Sequence, residues 1–224
     1  GEGESDREFS SSGSRHWTKK RFYAKCDMVA KSIMWIGDSY GRMPDLIGLA
    51  EIENKGVLLK LLKSTVLRKY DYEIVHYDSG DRRGIDVALL YRKSVMSVGS
   101  VSVVTPEYEG KTLPTRDILH TQMHISDSSA IDFIVNHHPS KYGGEDESES
   151  RRNAAMKALR SLCDSLGSRS VIAMGDFNDS PQGASFRMID DILINMGQQL
   201  SERGEGSIRY EGKWELIDMF LLGA

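Results

Sequence analysis

The chain has 224 residues, of which 39% are hydrophobic and 28% are charged, so it can bury a core and is not disordered as a whole. Its 29 basic and 33 acidic side chains give a formal charge of -4, which argues against a protein that holds nucleic acid through a broad basic face. No apolar run reaches the length of a membrane span, and the opening GEGESDREFS lacks the basic start and apolar core of a signal peptide.

The first part of the chain is predicted to be helical after a flexible start. Residues 1–16 are rich in Ser, Gly and acidic residues, and we expect them to be flexible. From Trp17 onward, apolar residues recur every three or four positions and predict a helix with one buried face, made of Phe22, Cys26, Val29, Ile33 and Ile36. The segment GDSYGRMP is expected to form the loop that closes this helix. A short buried strand, DLIGLAEIE, follows, and Asn54 is a candidate cap for a second helix.

The remainder of the chain is predicted to form short strands with one further helix. Three strands are predicted first, at EIVHY, IDVALLYR and VMSVGSVSVV. A hairpin that turns at residues 127–129 is then predicted from DILHTQMHIS and AIDFIVNH. Two more buried strands are predicted at SVIAMGDF and ELIDMFLL. Because strands and helices do not alternate strictly, the pattern favours the α+β class over a doubly wound parallel sheet. We expect two mixed β-sheets packed face to face with helices outside, a four-layer α/β/β/α sandwich, in one domain over residues 17–224.

Carboxylates and an amide follow the ends of two predicted buried strands. Glu51 comes directly after the apolar segment LIGLA, where a carboxylate is costly to leave unpaired, and hard cations prefer carboxylate oxygens. Asp176 and Asn178 follow the strand at residues 171–174; a carboxylate there can align a water, and an amide can donate to a phosphoryl oxygen. Structural alternatives are a helix N-terminal acid for Glu51 and an Asx turn for the other two residues.

Two adjacent histidines, His137 and His138, end another predicted strand just before Pro139. Neighbouring residues of a strand point to opposite faces, so at most one of the two is expected to enter a given site. A histidinium near a phosphate attracts the anion and can donate a proton to it. The structural alternative is one surface histidine and one packed histidine.

Six segments in a fixed order resemble the endonuclease/exonuclease/phosphatase superfamily, which has the deoxyribonuclease-I-like fold. The segments are PDLIGLAEIEN, RRGIDVALLYR, TRDILH, VNHHPS, VIAMGDFND and WELIDMFLL. The chain is similar to bacterial members with a VNHWPS-type segment, in which a tryptophan stands at the position of His138. The resemblance implies a phosphoesterase that uses Mg2+ or Mn2+.

The resemblance also implies a role for individual residues. Glu51 matches the metal-binding glutamate, Asp176 the aspartate that aligns or activates the attacking water, and Asn178 its transition-state partner. His137 matches the histidine that contacts the phosphate, and Asp86 is the carboxylate expected to pair with His137.

Two further matches concern the substrate and a second histidine. Arg116 matches a basic residue near the substrate phosphate, and Asp218 matches an aspartate that orients a histidine near the end of the chain. All six histidines here precede Asp176, whereas family members close with a Ser-Asp-His segment. The first family strand, with a metal-site asparagine, should also precede Gly1. We therefore expect a fragment of a longer protein, without the first strand and the C-terminal segment.

The substrate and the partners stay open at this point. A nuclease, a sugar-phosphate or inositol phosphatase and a phospholipid-cleaving enzyme share this type of site, so the expected partner is a phosphate ester, either nucleic acid or a small molecule. Five residues form either a local basic rim or a solvated surface: Arg82, Arg83, Lys141, Arg151 and Arg152. A non-catalytic binding module on the same fold is the alternative to an enzyme. We expect a monomer; members of this kind are often exported in bacteria, but the compartment does not follow from this sequence.

Overall fold

The computed structural model describes residue 8 and residues 10–126, 129–141, 145–167 and 170–223. These residues form helices and strands in the following order: α1 Lys19–Tyr40, β1 Leu46–Ile52, α2 Lys55–Ser64, β2 Tyr72–His76, β3 Asp86–Arg92, β4 Ser97–Val104, β5 Glu107–Tyr108, β6 Lys111–Thr112, β7 Ile118–Ser126, β8 Ser129–His137, α3 Glu145–Leu166, β9 Val171–Asp176, β10 Leu193–Asn195, α4 Gln198–Glu202, β11 Ile208–Tyr210, β12 Lys213–Glu215 and β13 Asp218–Gly223.

Two sheets face each other at the centre of the molecule. The larger sheet has the strand order β10-β13-β9-β8-β7-β4, in which β8 and β9 run parallel and the other neighbours antiparallel. The smaller sheet has the order β1-β3-β2 with antiparallel neighbours. Strands β5 and β6, and strands β11 and β12, form two separate antiparallel ribbons.

Three clusters of buried side chains separate the layers. One lies between the sheets and includes Leu89 of β3 with Val135 of β8 and Met174 of β9. A second joins α3 to the outer face of the larger sheet, and a third joins α1 and α2 to the outer face of the smaller sheet. The predicted α+β class with a four-layer α/β/β/α sandwich is therefore confirmed.

Alternation along β9 decides which side chains reach the space between the sheets. Val171, Ala173 and Phe177 belong to the cluster under α3, whereas Ile172 and Met174 pack toward the smaller sheet. Because strand side chains alternate with a period of two, the next residue on the inner side after Met174 is Asp176. The core pattern thus places this carboxylate at the end of the inter-sheet layer.

The first helix differs from its prediction in two respects. It continues through the segment GDSY, which was expected to be a loop, and ends at Gly41, whose φ of 70° is the left-handed C-cap that glycine favours. Its buried positions are Cys26, Ala30, Ile33 and Gly37, whereas Ile36 is 40% exposed. The prediction for Ile36 was wrong because a 3.6-residue period brings Gly37, not Ile36, under the preceding buried residues.

Other predicted features are present where the structure describes them. Strands β7 and β8 pair as the expected hairpin, although residues 127 and 128 of its turn lie outside the described residues, as do residues 1–7 and 9 of the predicted flexible start. The side chain of Asn54 accepts the backbone N–H of Val57 and caps α2 as predicted. In the part of the chain that the structure describes, every helix is too short or too polar to cross a membrane.

Candidate active site

Three of the predicted site residues form one row across adjacent strands of the larger sheet. His137 at the end of β8 is paired with Asp176 at the end of β9, and Asp176 is paired with Asp218 at the start of β13. Directly paired residues present their side chains on the same face of a sheet. The row therefore gathers an imidazole and two carboxylates at one rim, on the side that faces the smaller sheet.

Gly175 lets the strands approach closely beside this row. Its φ is 132°, and a Cβ at this position would lie 2.0 Å from the backbone oxygen of Asn136. No other residue type avoids that overlap with rigid backbone. The glycine of the GDFN segment is thus required by the contact between β8 and β9 that brings His137 and Asp176 together.

The Asp176 carboxylate is held by the turn that follows it. Its Oδ1 accepts the backbone N–H of Asn178 at 2.8 Å, and its Oδ2 lies 3.5 Å from Nε2 of His137. Asn178 has a φ of 49°, and its side-chain Nδ2 donates to the backbone oxygen of His138 at 2.8 Å. An Asx turn is present, as the structural alternative proposed, and it also orients the site amide.

Glu51 lies near this row although it belongs to the other sheet. The pairing of β1 with β3 shifts register between Leu49 and Ile52, and Glu51 within that bulge has a φ of 59°. Such bulges re-aim side chains, and a left-handed residue other than glycine is often found at functional sites. Its side chain is exposed, and its charge is close enough to raise the pKa of Asp176.

Burial and like charges govern the protonation of Asp176. Burial is the largest cause that raises its pKa, to about 6, and the charges of Asp218 and Glu51 raise the pKa further. The Asn178 N–H bond and the Arg116 charge act in the opposite direction. A divalent cation near Asp176 would oppose the effect of the negative charges of Asp218 and Glu51.

Both histidines at the end of β8 are buried and neutral. Burial, followed by the charges of Arg116 and Arg83, lowers the pKa of His137 to about 3. Burial, followed by the charges of Arg116 and Arg152, lowers the pKa of His138 to about 3. The predicted histidinium is therefore replaced by a neutral imidazole at pH 7, and the alternative of one surface histidine is also wrong.

Arg116 lies beside the site with its side chain 5% exposed. Its Nη1 donates to Oδ2 of Asp81 at 3.1 Å, and its Nη2 donates to the backbone oxygen of His138 at 2.5 Å. The guanidinium is thus bonded to protein groups on two sides. The sequence predicts neither of these two contacts. It shows only that Asp81 is a carboxylate in a turn-forming loop.

The predicted pairing of Asp86 with His137 is not formed. Asp86 Oδ2 lies 3.1 Å from Nε2 of His76, and Oδ1 accepts from both the backbone N–H and the hydroxyl of Ser79. The reason is topological. Asp86 is the first residue of β3 in the smaller sheet, where its carboxylate contacts the adjacent strand β2 and the loop that follows β2. These bonds help to lower the pKa of Asp86 despite its burial.

Two groups of side chains offer metal-ligating atoms, but only one of them is compact. The carboxylates of Glu51, Asp176 and Asp218 offer oxygen atoms alone, as Mg2+ prefers, but these oxygens do not all lie within 4.8 Å of one another. His76, Asp78 and Asp86 each offer an atom within 4.8 Å of the others, a mixed nitrogen and oxygen set that suits transition metals such as Zn2+ or Mn2+. In the second group, His76 and Asp86 already bind each other.

The five basic residues proposed as one rim are not equivalent. Arg82 and Arg83 are exposed in the loop before β3, whereas Arg152 on α3 is 6% exposed. Arg151 binds Glu147 on the same helix, and Lys141 lies 3.3 Å from Glu215. Arg83 Nε also lies 3.7 Å from Oδ1 of Asp81. A continuous basic surface of all five is therefore wrong, because one is buried and three have carboxylate partners.

Comparisons with known proteins agree with this architecture. A sequence model of the endonuclease/exonuclease/phosphatase family matches residues 2–224. No curated protein matches the chain. Among solved structures, the catalytic domain of human Nocturnin with bound sulfate superimposes with a TM-score of 0.65 at 16% identity, covering 86% of this chain and 73% of that one.

Two further structures share the fold. TDP2 from D. rerio, in complex with a single-stranded DNA product, has a TM-score of 0.60 at 15% identity and covers 87% of this chain and 76% of its own. ANGEL2, a 2',3'-cyclic phosphatase in complex with adenosine-2',3'-vanadate, has a TM-score of 0.54 at 18% identity, covering 73% of this chain and 47% of that one.

Proposed function

The chain belongs to the endonuclease/exonuclease/phosphatase family, and from this premise we propose that it hydrolyses a phosphate ester with the help of a divalent metal ion. The observation that carries the proposal is the row of His137, Asp176 and Asp218 across three paired strands. A carboxylate with a pKa near 6, beside a neutral imidazole and a fixed amide, is suited to proton transfer near neutral pH.

Carboxylate oxygens are the donor type that a hard divalent cation prefers. Glu51 would hold Mg2+ or Mn2+, and the carboxylates of Asp176 and Asp218 supply the negative surroundings that favour it. When bound, such an ion polarises a phosphoryl oxygen and stabilises charge on the leaving oxygen. The exposure of Glu51, on a rim that opens to solvent, leaves room for water and substrate around an ion.

Asp176 is proposed to align the attacking water. Its carboxylate is ionised at pH 7, because that pH lies above its raised pKa of about 6. A base with a pKa close to the working pH combines the correct charge with a useful proton affinity. Burial is the main cause of this raised pKa, and the charge of Asp218, which is paired with Asp176 in the sheet, adds to it.

Asn178 and His137 are proposed to donate hydrogen bonds to the phosphoryl group as negative charge grows there. One N–H of the Asn178 amide is bonded to the His138 oxygen, which leaves the second N–H to face the substrate. His137 is neutral, so it acts as a hydrogen-bond donor rather than as a cation. Donors that are fixed before the reaction stabilise its transition state without reorganising.

The proposed substrate is a phosphodiester or phosphomonoester, either nucleic acid or a small phosphorylated molecule. The D. rerio TDP2 structure holds a single-stranded DNA product, and ANGEL2 is a 2',3'-cyclic phosphatase. The charge of -4 and the absence of a continuous basic rim in the described part of the chain favour a small or single-stranded substrate over duplex DNA.

Hydrolysis of bis-p-nitrophenyl phosphate and of plasmid DNA, with and without Mg2+, tests the proposal. Asp176→Ala is expected to reduce metal-dependent hydrolysis by ~10²-fold or more, since a preorganised group of this kind commonly contributes that much. Asp191→Asn is the matched control, because that exposed carboxylate binds Arg160 on α3, away from the site. Full activity in folded Asp176→Ala would contradict the assignment. A steep loss of DNA cleavage with salt would mark a nuclease.

A further inference from the structure

Asp81 and Arg116 form a buried ion pair beside the candidate active site. Their side chains are both 5% exposed, and Nη1 of Arg116 lies 3.1 Å from Oδ2 of Asp81. Thirty-five positions separate the two residues, and Asp81 belongs to the loop between β2 and β3. A buried pair of this kind fixes the position of both charged groups, because either alone would be an uncompensated charge.

The loop that carries Asp81 is itself anchored. Asp81 Oδ1 accepts the backbone N–H of Arg83 at 2.8 Å, so its carboxylate is oriented within the loop. The hydroxyl of Ser79 donates to Asp86 at 2.7 Å, which ties the loop to the first residue of β3. Asp86 thus contributes to the site indirectly, through the loop, rather than through His137.

The other end of the Arg116 guanidinium reaches the backbone of the site. Its Nη2 donates to the His138 oxygen at 2.5 Å, and the side-chain Nδ2 of Asn178 donates to the same oxygen at 2.8 Å. A carbonyl oxygen has two lone pairs, so it can accept both bonds at once. A continuous series of contacts therefore runs from Asp81 through Arg116 and the His138 oxygen to Asn178.

Asn178 needs such support. Its φ of 49° is a left-handed conformation, which asparagine adopts more readily than other residues with a Cβ but which still favours few side-chain orientations. Its backbone N–H is committed to Asp176, and one side-chain N–H is committed to the His138 oxygen. With those two bonds made, the plane of the amide is fixed, and the remaining N–H points in one direction.

We propose that Asp81 and Arg116 are positioning residues: they hold the His138 carbonyl so that Asn178 presents its free N–H to the phosphoryl group, and Arg116 does not itself contact the substrate phosphate. The proposal rests on the proposed function for the role of Asn178, but the positioning itself is a structural claim. It replaces the expectation that Arg116 binds the phosphate.

Three observations favour positioning over phosphate binding. Nη1 and Nη2 of Arg116 each have one of their two N–H groups bonded, to Asp81 and to the His138 oxygen, and these bonds fix the plane of the guanidinium. The third nitrogen, Nε, is buried without a hydrogen-bond partner, so it does not face the solvent from which a substrate arrives. The carboxylate of Asp81 also neutralises the guanidinium, and withdrawing Arg116 toward a phosphate would leave that buried carboxylate with only the longer 3.7 Å ion pair to the exposed Arg83 side chain.

Asp81→Asn separates the two roles in steady-state kinetics. If Arg116 positions Asn178, the variant lowers kcat by ~10-fold or more with KM changed by less than ~3-fold, because a transition-state donor is misplaced. If Arg116 binds phosphate, the variant frees its guanidinium, and KM falls or stays the same with kcat unchanged; that result overturns the proposal. Arg116→Lys is expected to lose as much kcat as Arg116→Gln, since an ammonium cannot make both contacts.

Two controls keep the result interpretable. Asp71→Asn removes a carboxylate that binds Arg92 at 3.0 Å at the opposite end of the smaller sheet, and its kcat should equal that of the unchanged protein. The double variant Asp81→Asn with Arg116→Gln removes both charges, so no lone buried charge unfolds the protein. The proposal requires its kcat to be reduced as in Asp81→Asn, and normal kcat in the folded double variant contradicts it.

An NMR measurement that does not depend on catalysis tests the positioning role separately from the proposed hydrolase activity. The side-chain NH2 resonances of Asn178, assigned in NMR spectra through their disappearance in Asn178→Asp, should include one proton that exchanges slowly with solvent because it is bonded to the His138 oxygen. In Asp81→Asn, these resonances should shift and exchange faster, whether or not the protein hydrolyses any ester. Unchanged Asn178 resonances in Asp81→Asn would refute the positioning role, whereas a shift in an inactive protein would leave it standing and count against the hydrolase.

Discussion

Replacing His138 with phenylalanine tests how strongly the imidazoles at the end of β8 limit stability in acid. The His138 side chain is 1% exposed, its ring lies edge-on to Phe177 with 5.0 Å between centroids, and neither ring nitrogen has a hydrogen-bond partner. Burial is the largest cause that lowers its pKa from 6.5 to about 3. A phenyl ring has nearly the same shape and no group to protonate, so His138→Phe should leave the fold intact.

The size of the effect follows from the two protonation states. Because the pKa of His138 is lower in the folded protein, the unfolded chain takes up the proton first, and stability falls as the pH drops from 6.5 toward 3. At pH 4.5, two units below the unfolded value, this loss amounts to about 2.7 kcal/mol, at about 1.36 kcal/mol per unit. The raised pKa of Asp176 acts in the opposite direction, but it is common to both proteins and cancels.

Urea unfolding at pH 7 and at pH 4.5 measures this difference. Between pH 7 and pH 4.5, the free energy of unfolding should fall by about 2.5 kcal/mol more in the unchanged protein than in His138→Phe. This value allows for the small fraction of unfolded histidine that is already protonated at pH 7. At pH 7 the two proteins should agree within about 1.5 kcal/mol, as for other shape-conserving core changes. His16→Gln, at an exposed histidine, is the control. Identical pH dependence in His138→Phe and the unchanged protein would show that the buried imidazole titrates normally.

Further predictions concern the metal and the backbone of the site. Mg2+ or Mn2+ should raise the melting temperature of the unchanged protein and of His76→Gln but not that of Glu51→Gln. If the ion instead stabilises Glu51→Gln and not His76→Gln, it binds at the group of His76, Asp78 and Asp86. Gly175→Ala should lower the free energy of unfolding by about 3 kcal/mol or more in urea titrations, because its Cβ meets the Asn136 oxygen. Gly110→Ala, at a φ of 70° with open space around it, should cost only about 1 kcal/mol, and equal losses at both glycines would contradict the steric argument.

The layers of the fold were predictable because they depend on local periodicity. Short apolar runs mark β8 and β9, and the spacing of leucines marks α2, so these strands and this outer helix follow from the sequence. The helix end at Gly41 was missed, since GDSYG has turn-forming residues whether or not the preceding helix continues into it. The ribbons of β5 with β6 and of β11 with β12 carry no apolar alternation strong enough to predict them.

The site was predictable only as a set of residue types at strand ends. The row of His137, Asp176 and Asp218 depends on the register between β8, β9 and β13. More than thirty residues separate each of these strands from the next of the three along the chain. The partner of Asp86 depends on which sheet contains β3, and the sequence does not specify that choice. Asp81 had no motif at all, because its importance comes from a contact with Arg116 that only the tertiary structure creates.

The backbone conformations and the buried charge of the candidate site lower the stability of the folded protein. Glu51 adopts a left-handed backbone conformation at a cost of about 1–2 kcal/mol, and Asn178 does so at a smaller cost, since asparagine tolerates that conformation better. Keeping Asp176 ionised at pH 7 against a pKa of about 6 costs about 3 kcal/mol relative to an ordinary aspartate. Glu51→Gly should therefore stabilise the protein while it removes the proposed metal ligand, whereas Gly175→Ala should destabilise it without removing any polar group. Opposite signs at these two positions are expected if Glu51 keeps a strained backbone for its proposed role, whereas Gly175 is fixed by close packing of the strands.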